Sequence, residues 1–405
     1  MMNIKVMQIN ITCGVGSTGR LSEMLYYATI KKGWKARFAY SMYHPTIKAA
    51  FSIENKIENG CRRLLNKVFG KKQKHSNIGT RKLIRYIKSE KPDIIHLHNI
   101  QHNFVNYYKL FQFLKEINTP VVYTLHDCWP FTGGCYHFSK IGCNKYEESC
   151  SNCPKKRAFD DVTISPNKSH NIKETFIGGN DNMYPVCVSK WLCSVATKSY
   201  MGKMKHLPQV VYNGIDTQTF MPKQVNRLEK VGVDEKTFVI LGVASFWNDD
   251  KGLLIFKELA NKLDFPVKII LIGGGLENLQ NLNLEKIICV SRTESVEELA
   301  EYYSLADVFI NTSIEETFGL TTAEALACGT PAIVFNFTAC PEVIDEDTGV
   351  CVPHQMEALI EGIEQIREKG KAYYTEHCRE RVLKLFSKEK MVDEYLKLYE
   401  DLLNG

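Results

Sequence analysis

The chain has 405 residues, of which 44% are hydrophobic and 24% are charged. This length exceeds the size at which one hydrophobic core keeps growing, so we expect two domains. The net charge of +5 is modest. It permits attraction to an anionic substrate or a membrane surface, and it gives no reason to expect nucleic acid as a partner.

The N-terminus and the cysteines bear on the cellular compartment. Residues 1–11 read as a strand, without the apolar stretch and cleavage site of a signal peptide. Nowhere does the sequence reach the ~18 uninterrupted apolar residues of a transmembrane helix. We therefore expect a cytoplasmic protein, in which a cluster among the 14 cysteines binds metal or is inert rather than forming disulfides.

Short β-branched segments alternate with longer helical patterns along the first half of the chain. Strands are predicted at 5–11, 36–40, 93–98, 120–125 and 184–188, and helices at 20–32, 80–88 and 107–117. This alternation is typical of βαβ units, in which a parallel sheet carries helices on both faces.

The same alternation restarts after residue 207. Strands are predicted at 238–243, 267–272, 286–290, 307–311 and 332–335, and helices at 252–262, 296–304, 320–328 and 387–402. We therefore predict an α/β protein with two Rossmann-like, doubly wound domains, 1–206 and 207–386, and with residues 387–405 packing back on the first. Such domains bind ligands at the carboxyl ends of their strands, which predicts an active site in a cleft between them.

The loop after the first strand, residues 14–19, reads G-x-G-x-x-G. A dinucleotide-binding loop also needs an acid at the end of the second strand, where this chain has Tyr40-Ser41-Met42, and a P-loop needs Lys-Ser/Thr where this chain has Arg20-Leu21. Two interpretations remain: a loop that faces a phosphate at the start of a helix beginning at about Arg20, and a tight structural turn.

Residues 313–331 contain the most informative pattern. Glu316 closes a loop after a strand, Phe318, Gly319 and Leu320 open a helix, and Glu324 lies about one turn further on. The first amides of this helix would form an anion site suited to a diphosphate. Two carboxylates beside an anion site suggest hydroxyl ligands, and a nucleotide-sugar has hydroxyls on both sides of its diphosphate. The alternative is a pair of solvated charges on a helix.

This pattern resembles the E-x7-E motif of family 4 retaining glycosyltransferases, which have the GT-B fold of two Rossmann-like domains facing across a central cleft. The resemblance extends over nearly the whole chain through 124–127, 213–216, 251–252 and 291–353. A narrower segment, 125–133 with the cysteines after it, is similar to exopolysaccharide transferases of the colanic-acid type.

The resemblance implies roles for individual residues. Glu324 should bind the ribose hydroxyls, Glu316 the hydroxyls of the transferred sugar, and Lys251 the diphosphate, where its ammonium would stabilise the leaving group. His126, at a strand end, should face the donor sugar, and Gly16 matches the family's N-terminal glycine pair.

Two departures from the family pattern concern the phosphate contacts. Ser17 stands where the second glycine of the pair is usual, and residues 242–252 lack the arginine that commonly precedes the lysine. Lys251 would then act with helix amides alone, or with another arginine such as Arg292.

The resemblance also implies a reaction. A sugar moves with retention from a UDP- or GDP-sugar to a saccharide or lipid-linked acceptor, in surface polysaccharide biosynthesis, and catalysis requires no metal. Two alternatives are a nucleotide-sugar epimerase of the same fold and a non-catalytic subunit that binds nucleotide-sugar.

Two further clusters stand outside these motifs. Cys135, Cys143, Cys150 and Cys153 include a C-x2-C knuckle and could hold a structural zinc, or could be packed thiols or redox groups. Residues 61–91 carry eleven Lys or Arg and one acid. They form either a solvated helical face or a peripheral contact with anionic lipid at the inner membrane face.

Overall fold

A computed structural model describes residues 4–54, 76–101, 104–155, 165–234, 236–248, 251–276 and 285–404 of the chain. The chain divides into two compact units. The first comprises Met1–Val211 and Val392–Gly405, and the second comprises Tyr212–Met391.

The first unit is built on a parallel sheet of seven strands. They are β1 (Lys5–Ile9), β2 (Lys35–Tyr40), β3 (Phe51–Ser52), β4 (Ile94–Leu97), β5 (Val121–Leu125), β6 (Met183–Cys187) and β7 (Gln209–Val210). Their order is β3-β2-β1-β4-β5-β6-β7. Every residue of β4 and β5 is buried, as expected for strands covered on both faces.

Within the described residues of the first unit, five α-helices lie between these strands. They are α1 (Gly16–Lys31), α2 (Asn77–Glu90), α3 (Tyr107–Glu116), α4 (Pro166–Lys173) and α5 (Lys190–Lys198). Local capping explains where several of them begin, because a polar side chain accepts a hydrogen bond from a first-turn amide. Ser76 accepts from Gly79 before α2, and Asn106 accepts from Lys109 before α3.

The second unit repeats this design with a parallel sheet of six strands. They are β8 (Phe238–Phe246), β9 (Val267–Gly274), β10 (Ile287–Val290), β11 (Val308–Asn311), β12 (Ala332–Phe335) and β13 (Gly349–Val352), in the order β10-β9-β8-β11-β12-β13. The α-helices in its described residues are α6 (Arg227–Val231), α7 (Leu253–Lys262), α8 (Val296–Leu305), α9 (Leu320–Ala327), α10 (Cys340–Val343), α11 (Met356–Lys369) and α12 (Lys371–Leu385).

The last helix, α13 (Lys388–Asn404), has its final residues in the first unit. Tyr395 and Tyr399 on this helix are buried, at 2% and 0% exposure. Their hydroxyls form hydrogen bonds to Thr124 and Gln8. These buried polar contacts, together with apolar packing, hold the end of α13 against the first sheet.

The predicted α/β class with two doubly wound sheets is confirmed, and both sheets are parallel throughout the described residues. The sequence pattern did not predict the strands β3 and β13, nor the helices α4, α5, α6, α10, α11 and α12. Among the helices of the described ranges, none combines the length and apolar character that a membrane crossing requires. Of the basic segment 61–91, residues 61–75 lie outside the described residues.

Candidate functional site

Lys251 is held in place by the junction between α7 and the end of β11. Gly252 caps α7 with φ +73°, and a Cβ at this position would lie 2.5 Å from the Cβ of Thr312. The positive φ and the close approach both favour glycine. The Thr312 hydroxyl also donates a hydrogen bond of 2.5 Å to the carbonyl of Lys251. The backbone of Lys251 is therefore anchored while its side chain remains available to the site.

The Lys251 ammonium lies against the loop that follows β11. Its Nζ is 2.7 Å from Oε1 of Glu316 and 3.2 Å from the hydroxyl of Ser313. The two charged side chains are 35% and 23% exposed. The structure thus brings together two predicted site residues that are 65 positions apart in the sequence. The pair remains accessible to a ligand from solvent.

Two hydrogen bonds hold the backbone of Glu316 in place. Its amide donates to the hydroxyl of Thr338 over 3.0 Å, and its carbonyl accepts from the amide of Ala339 over 3.3 Å. Thr338 has φ +50°, an unusual conformation for a β-branched residue. Such strain persists only where the surroundings impose it, and it is frequent at ligand sites.

The helix α9 begins directly after this loop. Gly319, its N-cap, has φ +101°, which glycine adopts at least cost. Phe318 is 2% exposed and packs edge-to-face on Phe386 and at a tilt on Tyr212. This anchor fixes the start of the helix at Leu320, where the first amides have no intrahelical acceptor and the helix dipole favours an anion.

Glu324 lies inside α9 and is only 7% exposed. Its Oε2 accepts a hydrogen bond of 3.0 Å from the hydroxyl of Tyr303 on α8, and Tyr303 is fully buried. Sequence reasoning did not identify Tyr303. The available signal was a tyrosine within a predicted helix, since a buried phenol requires a polar partner. The pattern of the helix does not reveal which carboxylate that partner is.

Arg292 follows β10 and is exposed. Within the described residues, the hydrogen bonds of Lys251 and Glu316 do not include Arg292. The structure therefore does not bring this arginine into hydrogen-bond contact with the Lys251–Glu316 pair.

The glycine-rich loop differs from the prediction in where the helix begins. The sequence predicted a helix from about Arg20, whereas α1 starts at Gly16. A Cβ at Gly14 would overlap Thr46, and a Cβ at Gly19 would lie 2.7 Å from the Thr12 hydroxyl, so these two glycines serve packing. Gly16 has φ +72° and open space around it. An incoming ligand could approach the backbone only at this last position without displacing a neighbour.

In the first unit, His126 follows the last residue of β5 and is partly exposed. Its Nε2 lies 3.1 Å from Nδ1 of His98. Although one edge reaches solvent, the surrounding protein lowers the pKa of His126 to about 3 by desolvation. The imidazole is therefore neutral at physiological pH and can accept or donate a hydrogen bond, but it carries no charge.

The four clustered cysteines line one cavity of about 20 Å³, together with aromatic side chains. However, no group of three or more His, Cys, Asp or Glu side chains in the described part of the chain is arranged to hold a metal. The sulfur of Cys150 accepts from the Gly133 amide, and that of Cys153 donates to the Lys155 carbonyl. Burial raises the pKa of Cys150 to about 11 and also raises that of Cys135. The predicted zinc site at Cys135, Cys143, Cys150 and Cys153 is therefore not supported within the described residues, where the sulfurs of Cys150 and Cys153 contact backbone groups instead.

Two family models match the chain. The model described as "Glycosyl transferases group 1" matches residues 237–369, and the model described as "Glycosyltransferase Family 4" matches residues 34–153. The first therefore spans all six strands of the second sheet and the Lys251–Glu316 pair, and the other spans His126 and the cysteine cluster.

Individual proteins show the same relationship. The chain is 29% identical to N-acetyl-alpha-D-glucosaminyl L-malate synthase of Bacillus anthracis, over 48% of this chain and 54% of that protein. It is 33% identical to alpha-monoglucosyldiacylglycerol synthase of Streptococcus pneumoniae, over 32% of this chain and 33% of that protein. The matches therefore cover about half or less of these relatives. Sucrose-phosphate synthase of Thermosynechococcus elongatus shares the fold, with a TM-score of 0.73 and 19% identity over 99% of both chains.

The two parallel α/β sheets and this structural likeness define a protein of the GT-B fold. The chain belongs to the group 1, or family 4, glycosyltransferases.

Proposed function

We propose that this protein is a retaining glycosyltransferase that moves a sugar from a nucleotide-diphosphate sugar to an acceptor hydroxyl. The observation that carries the proposal is the Lys251–Glu316 pair, 2.7 Å apart at the start of α7 and α9 and still accessible to a ligand. A cation, a carboxylate and helix amides then lie within one short stretch of surface, as a sugar diphosphate requires.

Each group near the pair has a defined partner on the donor. The diphosphate binds at the N-terminus of α9, where free amides and the helix dipole favour an anion. Lys251 exchanges its contact with Glu316 for a phosphate oxygen, and the released carboxylate of Glu316 accepts hydrogen bonds from sugar hydroxyls. Glu324, oriented by Tyr303, accepts hydrogen bonds from the ribose hydroxyls.

The reaction needs no metal ion in this scheme. The acceptor oxygen forms a bond to the anomeric carbon on the face from which the nucleoside diphosphate departs. The bond between that carbon and the phosphate oxygen breaks, and the acceptor proton passes to the departing phosphate. Lys251 and the amides of α9 stabilise the negative charge that develops on the leaving group. His126 is proposed to contribute a neutral imidazole on the donor-sugar side.

The acceptor is proposed to be a saccharide or a lipid-linked saccharide of surface polysaccharide assembly. One of the two curated relatives is named for a small organic acid and the other for a lipid, so their names alone do not select an acceptor. The proposal draws on the sequence pattern of segment 125–133, which resembles that of exopolysaccharide transferases. It also comes from α2, where Arg81, Arg85 and Lys88 are exposed and suit an anionic lipid surface.

The test begins with the donor. UDP- and GDP-sugars are screened for thermal stabilisation, since a ligand at 100 times its dissociation constant stabilises by about 2.7 kcal/mol. The release of nucleoside diphosphate is then measured with and without saccharide and lipid-linked acceptors, and NMR determines the anomeric configuration of the product.

Each alternative gives a distinct result. Release that depends on the acceptor and a product of retained configuration support the proposal. A changed sugar that stays attached to the nucleotide would indicate an epimerase. Donor binding without any turnover, across the acceptors tested, would indicate a non-catalytic subunit.

A further inference from the structure

A chain of buried hydrogen bonds leads from His126 into the first sheet. His126 Nε2 meets His98 Nδ1 at 3.1 Å, and His98 Nε2 meets the side-chain oxygen of Gln8 at 2.8 Å. The Gln8 amide nitrogen donates to the hydroxyl of Tyr399 over 3.2 Å, and that hydroxyl lies 2.5 Å from His96 Nδ1. Strands β1, β4 and β5 are neighbours in the sheet, so their side chains can form one continuous chain.

The chain continues beyond His96 to the same C-terminal helix. His96 Nε2 lies 2.7 Å from the Thr124 hydroxyl, which is 2.7 Å from the hydroxyl of Tyr395 on α13. Gln8, His96 and His98 are at most 1% exposed. Each of these contacts must therefore have a donor and an acceptor, because water cannot easily satisfy a mismatched pair.

The orientation of one amide determines the direction of the whole chain. A neutral imidazole has one N–H donor and one acceptor nitrogen. Since the oxygen of Gln8 accepts, His98 carries its proton on Nε2 and accepts at Nδ1. His126 must then donate from Nε2, which leaves Nδ1 as its acceptor nitrogen. Burial lowers the pKa of His96 and His98 well below the usual value, which keeps both rings neutral as this scheme requires.

The far end of the chain is consistent with the same direction. The Gln8 nitrogen donates to the Tyr399 hydroxyl, which then donates to His96 Nδ1. His96 in turn donates from Nε2 to Thr124. Reversing the Gln8 amide would reverse each of these donors and would give His126 the opposite tautomer.

We propose that Gln8, His98 and Tyr399 are positioning residues that fix His126 as the Nε2–H tautomer, so that it presents Nδ1 as an acceptor to the reacting donor and acceptor. The catalytic part of this inference rests on the proposed glycosyl transfer. The tautomer itself does not.

The experiment reads the tautomer directly. Protein labelled with ¹⁵N-histidine is studied by long-range ¹H–¹⁵N correlation, and the His126 signals are assigned from their loss in His126→Gln. The native protein should show His126 protonated only on Nε2. In Gln8→Met, a side chain of similar length without polar groups, His126 should become a mixture of both tautomers. Turnover should fall about tenfold or more, because the catalytic imidazole is no longer held in one state.

Two tyrosine variants provide a matched comparison and protect the test if Gln8→Met fails to fold. Tyr399→Phe removes the hydroxyl that anchors the Gln8 amide, so it should also mix the His126 tautomers and lower turnover. Tyr395→Phe removes an equally buried hydroxyl from the same helix, but this one contacts Thr124 rather than Gln8. It should leave the His126 tautomer and turnover close to native.

Each result decides one part of the inference. The positioning role of Gln8, His98 and Tyr399 is overturned if His126 is protonated on Nδ1 in the native protein. It is also overturned if the His126 tautomer is unchanged in both Gln8→Met and Tyr399→Phe. Mixed tautomers with native turnover overturn the catalytic use of Nδ1. A wild-type protein that lacks transferase activity refutes the proposed function, yet its spectra still test the tautomer.

Discussion

Replacing Lys251 by alanine tests the proposed site most directly, because the structural and catalytic roles of this lysine predict different magnitudes. Its ammonium pairs with Glu316 at 2.7 Å and also contacts Ser313. The side chains of the pair are 35% and 23% exposed. An ion pair so accessible to water contributes roughly 0–1 kcal/mol to stability.

The catalytic role predicts a larger effect. Removing one preorganised group that stabilises developing charge costs about 10²- to 10³-fold in turnover, or roughly 2.7–4 kcal/mol of transition-state stabilisation. Lys251→Ala should therefore lower kcat at saturating donor by about 10²-fold or more. The same substitution should lower the free energy of unfolding by no more than about 1 kcal/mol.

Lys262→Ala is the matched control, since Lys262 lies at the other end of the same helix. It pairs with Glu357 at 3.2 Å and with Glu258 at 3.4 Å, and its side chain is 41% exposed. The control should lose a comparable ion pair and keep native turnover. Nucleoside diphosphate release measures turnover, and urea unfolding measures the free energy of unfolding. Native turnover in Lys251→Ala, or a loss of turnover matched by a loss of folded protein, would refute the assignment of this lysine.

Three further predictions follow from the site and from the buried histidines. Glu324→Ala should weaken donor binding by about 1.5–3 kcal/mol, the scale of a hydrogen bond to a charged group, and calorimetry showing native affinity would contradict the ribose assignment. Burial lowers the folded-state pKa of His96, His98, His126 and His170. Below pH 6.5, the approximate pKa of an unfolded-state histidine, the unfolded chain therefore binds more protons than the folded protein does. The stability that these histidines contribute is fully present above this pH. As the pH falls below it, the free energy of unfolding decreases by up to about 1.4 kcal/mol per pH unit for each histidine. Urea unfolding at pH 7.5 and 5.5 measures this loss, and equal stability at both values would contradict it. Turnover should persist in a chelator; its abolition, with recovery on adding magnesium or manganese, would contradict the metal-independent scheme.

The cysteine loop illustrates how far spacing alone can mislead. The C-x2-C knuckle at Cys150 and Cys153 is a local feature, and the two upstream cysteines do reach the same cavity. What spacing does not reveal is the distance between the sulfur atoms and their competing partners. Here the Gly133 amide and the Lys155 carbonyl occupy two of the sulfurs. A zinc prediction depends on those tertiary contacts, and they do not favour it.

The residues that support the site illustrate the same limit. Tyr303 orients Glu324 from another helix, and Gln8 meets His98 across two strands and 90 positions of sequence. Such pairs form between elements brought together by the sheet order, and no local pattern records them. The predicted start of α1 at about Arg20 was also wrong. The helix begins at Gly16 with a positive φ, which composition does not specify.

The sequence by itself determined the architecture and the family. Alternating apolar strands and amphipathic helices can bury their apolar faces only as parallel sheets covered by helices. The periodicity of apolar residues that predicts these elements can be read from neighbouring positions in the sequence. The E-x7-E spacing likewise lies within one loop and one helix. Only the tertiary structure decided which charges meet. Lys251 reaches Glu316 because Gly252 packs on Thr312 at the end of β11. His126 is linked to Gln8 through His98 because β1, β4 and β5 lie side by side. Hydrogen bonds depend on tenths of an ångström and on direction, and these are properties of the folded packing rather than of residue order.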